Sequence, residues 1–186
     1  MPRLPVLAFA LLSFSPPAEA QTTLVDGFAG ALRGCEEWIL NPASWAEGTA
    51  PFTAAVGLGD KMALVNRVDD ASLPPKPLRR ANHYWRINST KGAGYVLVVS
   101  DQLPMCHITG GGNVDLQPTV EWVLTSKDFQ RHWSQKSSSS AGNMTSTAFE
   151  SLLDPKLSII VSRASRPNDH LDRVQVIATA TYKLDN

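Results

Sequence analysis

The sequence predicts an α+β protein in which a mostly antiparallel sheet of five or six strands packs against an N-terminal amphipathic helix and a shorter second helix. Apolar residues recur at helical spacing over residues 22–40, whereas from Tyr84 onward the period changes largely to two. Short turns separate these later runs, which favours an antiparallel meander. The composition, 43% hydrophobic and 18% charged, is typical of a folded chain. We therefore predict that residues 21–186 form a single exported globular domain.

Residues 1–20 have the pattern of a secretory signal peptide. A short basic start precedes the apolar residues 4–14, and residues 18–20 form a small-x-small cleavage signal. We expect cleavage between Ala20 and Gln21. The apolar run is shorter than the roughly 20 residues that a membrane-spanning helix needs. We therefore expect a soluble protein, periplasmic or secreted, with no membrane insertion after the signal is removed.

The N-terminal helix is predicted from one apolar stripe. Its members fall at spacings of four, four, three and four: Leu24, Phe28, Leu32, Cys35 and Ile39. Thr23 followed by Asp26 resembles a capping box, and Asn41-Pro42 ends the helix because the residue before proline avoids the helical region. Three glycines within the helix each cost about 1 kcal/mol relative to alanine, so tertiary packing must stabilise it.

The two cysteines predict one disulfide. Cys35 and Cys106 are an even pair in a chain that we expect to be exported into an oxidising compartment. Closing a loop of about 70 residues stabilises the fold by roughly 4 kcal/mol in the chain-entropy model. The alternatives are two buried free thiols or a redox pair, but the C-x-x-C spacing typical of activated thiols is absent. We expect the disulfide to join the helix to the sheet.

The next segments carry weaker patterns. Residues 42–65 are left as loop with a short helix or strand, with Trp45 and Phe52 as core anchors. Residues 69–82 contain Pro74-Pro75-Lys76-Pro77 and are predicted to be an extended, solvent-facing connection, because proline fixes φ and removes a donor. The P-x-x-P spacing is also found in polyproline ligands, but a rigid connector is the preferred interpretation.

The middle of the chain predicts three strands and a turn. The strands cover residues 84–88, 95–99 and 105–109. In the third strand, Cys106 and Ile108 share one face and His107 points to the other. The glycine run at residues 110–113 is predicted to end this strand. Its amides would suit an anion, but the spacing matches no phosphate-binding motif.

The remainder of the chain is predicted to be one helix, one loop and three strands. Residues 118–133 suit a strand or a helix, and Thr125 with Asp128 favours a helix at least from Ser126 to Trp133. The serine-rich residues 134–143 are predicted to be a flexible polar loop. Strands follow over residues 143–153, 156–163 and 173–184.

Charge and motifs exclude several functional classes. The chain carries 17 basic and 17 acidic residues, so it has no long-range attraction for nucleic acid or anionic lipid. No cofactor-binding fingerprint is present, and we expect no cofactor. The four histidines, His83, His107, His132 and His170, lack metal-ligand spacing, so we expect no metal. Convergence of His83 with His107 is the one alternative. The predicted partner is an unknown protein or small-molecule ligand.

The catalytic alternative rests on residue types near the third strand. His107 as base, Asp115 as its orienting carboxylate and Ser100 as nucleophile would suit a small exported hydrolase. However, no G-x-S-x-G elbow is present, and Ser100 stands where a serine commonly begins a turn.

The preferred prediction is a non-catalytic binding or accessory protein. The chain contains five tryptophans, of which Trp85 and Trp122 suit core positions. An exposed aromatic cluster would mark a ligand surface, because aromatic side chains commonly line such sites. The position and function of that surface are not predicted from the sequence.

Overall fold

The computed structural model describes residues 18–46, 48–166 and 173–184. Within them are five α-helices: α1 Ala18–Leu40, α2 Ala43–Ala46, α3 Thr49–Val56, α4 Gln117–Thr125 and α5 Lys127–His132. There are eight strands: β1 Met62–Val65, β2 Asn82–Ile87, β3 Ala93–Ser100, β4 Met105–Gly112, β5 Trp133–Ala141, β6 Met144–Ser151, β7 Leu157–Ala164 and β8 Arg173–Tyr182. The α+β class is confirmed.

The eight strands form one antiparallel sheet in the order β1-β2-β3-β4-β8-β7-β6-β5. The sheet consists of two four-stranded meanders, β1–β4 and β5–β8, which meet where β4 pairs with β8. Helices α4 and α5 connect β4, at the centre of the sheet, to β5 at its edge. The predicted count of five or six strands is too low. Two strands were not predicted from the sequence: β1, which is four residues long, and β5, which has no apolar alternation.

Helix α1 confirms the predicted stripe and packs on β3 and β4. Leu24, Phe28 and Leu32 are buried. The described part of the helix already includes Ala18, so the predicted capping box lies inside the helix, where the Thr23 hydroxyl donates to the Glu19 carbonyl (2.9 Å). It ends at Leu40, as predicted.

Glycine in α1 allows close approach to its neighbours. A Cβ built at Gly27 would lie 2.1 Å from the Ser89 hydroxyl oxygen, and one at Gly30 would lie 2.7 Å from the Leu58 side chain. The helical propensity lost at these positions is therefore offset by packing that a larger residue would prevent.

The predicted disulfide is confirmed. Cys35 of α1 and Cys106 of β4 are bonded, with their Cα atoms 5.5 Å apart and both residues buried. The bond joins the long helix to a central strand of the sheet.

Residues 42–82 are more ordered than predicted. The segment left as loop contains α2, α3 and β1, and Phe52 is fully buried. Beyond β1, the connection to β2 forms two short 3₁₀ turns, Asp70–Ser72 and Lys76–Leu78, and Pro74 is buried. The prediction of a fully extended connection is therefore wrong, but most residues from 69 to 82 are exposed to solvent, as predicted. The segment folds back on the sheet, where the Arg80 carbonyl accepts a hydrogen bond from the Ser100 hydroxyl.

The glycine run contains the end of β4, because the strand continues three residues beyond the predicted Thr109 and ends at Gly112. Gly110 faces Tyr95 on one side and Val176 on the other, and a Cβ would lie 2.6 Å from each. A bulge follows between Gly110 and Gly111, opposite Gln175 of β8. Bulges re-aim side chains. The buried Gln175 accepts a hydrogen bond from the Leu116 amide (2.8 Å) and so holds the start of α4.

Residues 117–132 form two helices that meet at Ser126. The predicted helix from Ser126 is confirmed as α5, and Ser126, rather than Thr125, caps it by accepting a hydrogen bond from the Phe129 amide (3.1 Å). The stretch for which a strand was an alternative is helix α4.

The predicted polar loop at residues 134–143 is wrong, because most of it is the edge strand β5. Its serines pair across to β6 through hydroxyl contacts, Ser138 with Thr147 and Ser140 with Thr145, each at 3.2 Å. Apolar alternation is missing because both faces of this edge are exposed over most of its length.

Candidate ligand-binding pocket

The hydrolase residues are not brought together. Ser100 begins a turn, where its hydroxyl oxygen accepts hydrogen bonds from the amides of Gln102 and Leu103. Asp115 lies beyond the opposite end of β4 and accepts a hydrogen bond from the Gln117 amide (2.9 Å). His107 is near the start of β4, about 17 Å from the end of that strand at roughly 3.4 Å per residue. The three side chains therefore do not form a catalytic triad.

His107 is a buried structural histidine. It is 3% exposed, and its Nδ1 is hydrogen-bonded to the Thr179 hydroxyl (2.8 Å) on the neighbouring strand. Burial, with a smaller contribution from the positive charge of Arg79, lowers the pKa of His107 to about 4. The imidazole is therefore neutral at pH 7.

The described histidines do not converge on a metal. His83 bonds Asp101 at 2.8 Å and lies on the sheet face that carries Cys106, opposite to His107. His170 lies outside the described residues. Within the described part of the chain, no group of three or more His, Cys, Asp or Glu residues is placed to hold a metal ion.

The tryptophans give no exposed cluster among the described residues. Trp38, Trp85 and Trp133 are buried, and Trp45 stacks on Trp38 with ring centroids 4.3 Å apart. The core position predicted for Trp122 is wrong, because this side chain is 67% exposed. Trp122 lies on a helix, whose buried face carries its neighbours Val120 and Val123.

A cavity of about 190 Å³ lies between α1, α4, α5 and the start of β5, and we call it the helix pocket. Helix α1, held by the disulfide, forms one wall, and α4 and α5 form the other. The lining residues are Ala29, Leu32, Arg33, Glu36, Val123, Ser126, Asp128, Phe129, His132 and Trp133.

Glu36 is the central polar group of the helix pocket. It follows Leu32 by one helical turn, so both side chains face the same cavity. The Glu36 side chain is 12% exposed, and its Oε2 accepts a hydrogen bond from His132 Nδ1 at 3.2 Å. Its Oε1 is buried and has no hydrogen-bond partner among the described residues. Desolvation raises the pKa of Glu36 above its usual value, against the lowering effect of His132.

His132 is held in place by both the helix and the sheet. It is the last residue of α5, and its carbonyl accepts a hydrogen bond from the Leu152 amide (2.7 Å). The aromatic wall beside it is fixed by packing. Phe129 stacks on Trp133 at 6.1 Å between centroids and meets Phe149 edge-on at 5.0 Å.

The helix pocket suits binding better than nucleophilic catalysis. Ser126 is the hydroxyl residue of the lining; its O–H donates to the Val123 carbonyl (2.7 Å), and its oxygen accepts from the Phe129 amide (3.1 Å) at the start of α5. That hydroxyl is therefore already engaged. What the pocket offers a guest is an apolar wall and one buried carboxylate oxygen, an arrangement typical of small-molecule sites.

The contact between Glu36 and His132 was not predicted from the sequence. The available signal was an acidic residue directly after Cys35, one turn beyond Leu32 on the apolar stripe. Nothing local indicated His132, because it lies 96 residues further along the chain.

A second concavity lies between the connection to β2 and the sheet. It is larger, about 720 Å³, and its charged lining residues have both signs: Arg67, Asp69, Asp70 and Arg86. No side chain of this groove has a buried polar atom without a partner. The helix pocket is therefore the stronger candidate site in the described part of the chain.

Comparison with protein-family models, with curated proteins and with solved structures finds no match to this chain. None of the described helices has both the length and the apolarity that crossing a membrane requires.

Proposed function

We propose that this protein is an exported, non-catalytic binding protein that holds a small ligand, or one side chain of a larger partner, in the helix pocket. The observation that carries the proposal is the Glu36 side chain among the lining residues of an apolar cavity, where it is 12% exposed and its Oε1 has no hydrogen-bond partner among the described residues.

The energetic argument is that an unpartnered polar atom in a buried site is costly. Leaving a buried acceptor unsatisfied costs about 1–3 kcal/mol, and more for a charged group. A ligand that donates a hydrogen bond to Glu36 removes this cost, and the free energy regained adds to the affinity of the ligand. The size is sufficient, since a cavity of about 150 Å³ holds benzene.

Export is the second part of the proposal. The basic, apolar and small-x-small segments of residues 1–20 support it. The disulfide between Cys35 and Cys106 is compatible with an oxidising compartment.

The binding proposal is tested by blocking the pocket. Ala29 lines the helix pocket and Ala55 is exposed on α3, so Ala29→Leu fills the cavity and Ala55→Leu is its matched control. A library of one-ring amines, alcohols and amides is screened against the exported protein by ligand-observed NMR. We expect hits that Ala29→Leu weakens at least tenfold and that Ala55→Leu leaves unchanged. Hits that bind both variants equally, or no hits, would contradict the proposal.

A further inference from the structure

We propose that the ligand of the helix pocket is a small organic cation, with an ammonium, guanidinium or amidinium group on an apolar body no larger than one ring. This inference rests on the proposed binding function and specifies its ligand class.

The Glu36 carboxylate requires a ligand that donates a hydrogen bond. An ionised carboxylate only accepts hydrogen bonds, so the guest must donate to Oε1. A cationic donor does this with a charge-assisted bond, which is roughly twice as strong as a neutral one. A carboxylate or phosphate ligand supplies no donor and would be repelled by Glu36.

The second step concerns the other charged groups around Glu36. Asp128 of α5 adds negative charge, although it is ion-paired with the exposed Arg131 at 3.3 Å. Arg33 of α1 lines the same pocket with an exposed side chain, and its Nη2 donates to the Val56 carbonyl (3.1 Å). His132 bonds Oε2. Because a carboxylate can accept several hydrogen bonds, the Glu36 carboxylate can accept a further one from an incoming positive group.

The third step concerns the apolar wall. Leu32, Phe129 and Trp133 are at most 7% exposed and frame the cavity beside the carboxylate. Aromatic rings attract cations across their faces by about 0.5–2 kcal/mol. A cation with a flat or aliphatic body therefore satisfies both the carboxylate and the wall. The acidic side of the pocket would reject the corresponding anion.

The test compares three molecules of one shape. Benzamidine is cationic, benzamide is neutral and benzoate is anionic, and each is titrated into the exported protein at pH 7.5 by calorimetry or NMR. We expect benzamidine to bind at least ten times more tightly than benzamide, and benzoate not to bind. Glu36→Gln should remove the preference for benzamidine. Glu37→Gln is the matched control, because this neighbouring carboxylate bonds the Asn41 side chain outside the pocket.

Acidification is a second readout of the same charge. Protonating Glu36 removes the carboxylate, so it weakens the binding of a cation. The other charged or titratable side chains at the pocket are His132, Asp128 and Arg33, with Arg131 paired to Asp128. We expect the affinity for benzamidine to fall as the pH is lowered from 7.5 to 4.5.

The outcomes separate this inference from the proposed function. If benzamide binds as tightly as benzamidine, or if the preference for benzamidine survives Glu36→Gln, the cation class is wrong although the pocket still binds. If no molecule binds in a way that depends on Ala29, the binding function itself is wrong. N-acetyl-arginine amide then distinguishes two sources of the cation, because tighter binding than benzamidine indicates the side chain of a partner and weaker binding indicates a free small molecule.

Discussion

At the scale of single residues, two buried ionisable groups make the stability of this protein depend on pH in opposite directions. Glu36 has a raised pKa and His107 a lowered one, and desolvation is the largest cause in both cases. Burial disfavours the charged form of either group. The carboxyl is charged at neutral pH and the imidazole would be charged only in acid, so the costs appear at different ends of the pH scale.

Replacing Glu36 with glutamine should stabilise the fold at pH 7. A pKa raised in the folded state means that ionised Glu36 costs stability at neutral pH, and that this cost disappears as the pH falls through the folded-state pKa. Glutamine is neutral and keeps an oxygen for His132. We expect a gain of about 1 kcal/mol at pH 7 that shrinks at pH 4.5, measured by urea unfolding. An unchanged or lower stability at pH 7 would contradict this account.

Replacing His107 with glutamine should flatten the acid side of the stability profile. The unfolded histidine takes up a proton near its usual pKa of 6.5, whereas the folded one does so only near 4. Stability is therefore lost as the pH falls from about 6.5 to 4, by up to about 3 kcal/mol. His107→Gln should not show this loss in urea unfolding between pH 7 and pH 4.5. A His107→Gln stability that falls over this pH range as steeply as that of the wild type would contradict this account.

At the scale of elements, two features stand out: glycines let neighbouring elements pack closely, and the edge strand β5 is protected from pairing with other chains. Gly110 lets β4 pass between Tyr95 and Val176, as Gly27 lets α1 approach Ser89. The edge strand β5 has a bulge beside Lys136, whose ammonium pairs with Glu150 at 2.8 Å. A bulge and a lysine at an edge discourage pairing with other chains. Serine suits this strand because its hydroxyls pair locally.

Gly110→Ala should destabilise the sheet at its centre. The new methyl group would overlap the Tyr95 ring, whose hydroxyl is anchored to the Leu24 carbonyl (3.2 Å), and it would also overlap the fully buried Val176. Neither neighbour has free space, and overpacking typically costs about 1–3 kcal/mol. We expect a loss of about 2 kcal/mol in the free energy of unfolding. Thermal stability equal to that of the wild type would show that the strands move apart easily.

At the scale of the whole molecule, the disulfide links two parts of the chain that are far apart in sequence. It joins residues 71 positions apart and fixes α1, with its wall of the helix pocket, on the central strands. In the chain-entropy model a loop of this size contributes roughly 4 kcal/mol by restricting the unfolded chain.

The double variant Cys35→Ser/Cys106→Ser should have a free energy of unfolding lower by about 4 kcal/mol. Helix α1, which forms one wall of the helix pocket, should also be held less firmly on the sheet. Urea unfolding of the oxidised protein against the variant measures this difference. Adding a reductant to the wild type should lower its stability toward that of the variant and should leave the variant unchanged. Equal stability of oxidised and variant protein would contradict a stabilising bridge.

Export is checked on the intact protein by mass spectrometry of secreted or periplasmic material. We expect a chain that begins at Gln21 and is lighter by two hydrogens than its reduced form. Material that retains residues 1–20, or that carries two alkylatable thiols, would contradict the export proposal.

The parts of the fold that the sequence predicted have strong local patterns. The stripe of α1 is one, and the alternating or continuously apolar strands β2, β3, β6, β7 and β8 are others. Strand β1 was missed because only Met62 of its four residues is buried, and β5 because an exposed edge needs no apolar alternation. The two 3₁₀ turns of the proline-rich connection were not predicted, because its proline pattern also suits an extended chain.

The sequence by itself determined the class of this protein, its long helix and the pairing of its two cysteines, because periodicity and a count of two leave few alternatives. Only the tertiary structure decided the site. Glu36 and His132 lie 96 residues apart and meet where α1, α4 and α5 border one pocket, while His107 and Asp115, closer in sequence, lie toward opposite ends of one strand. Desolvation and hydrogen bonding act between neighbours in space, and those neighbours are known only when the chain is folded.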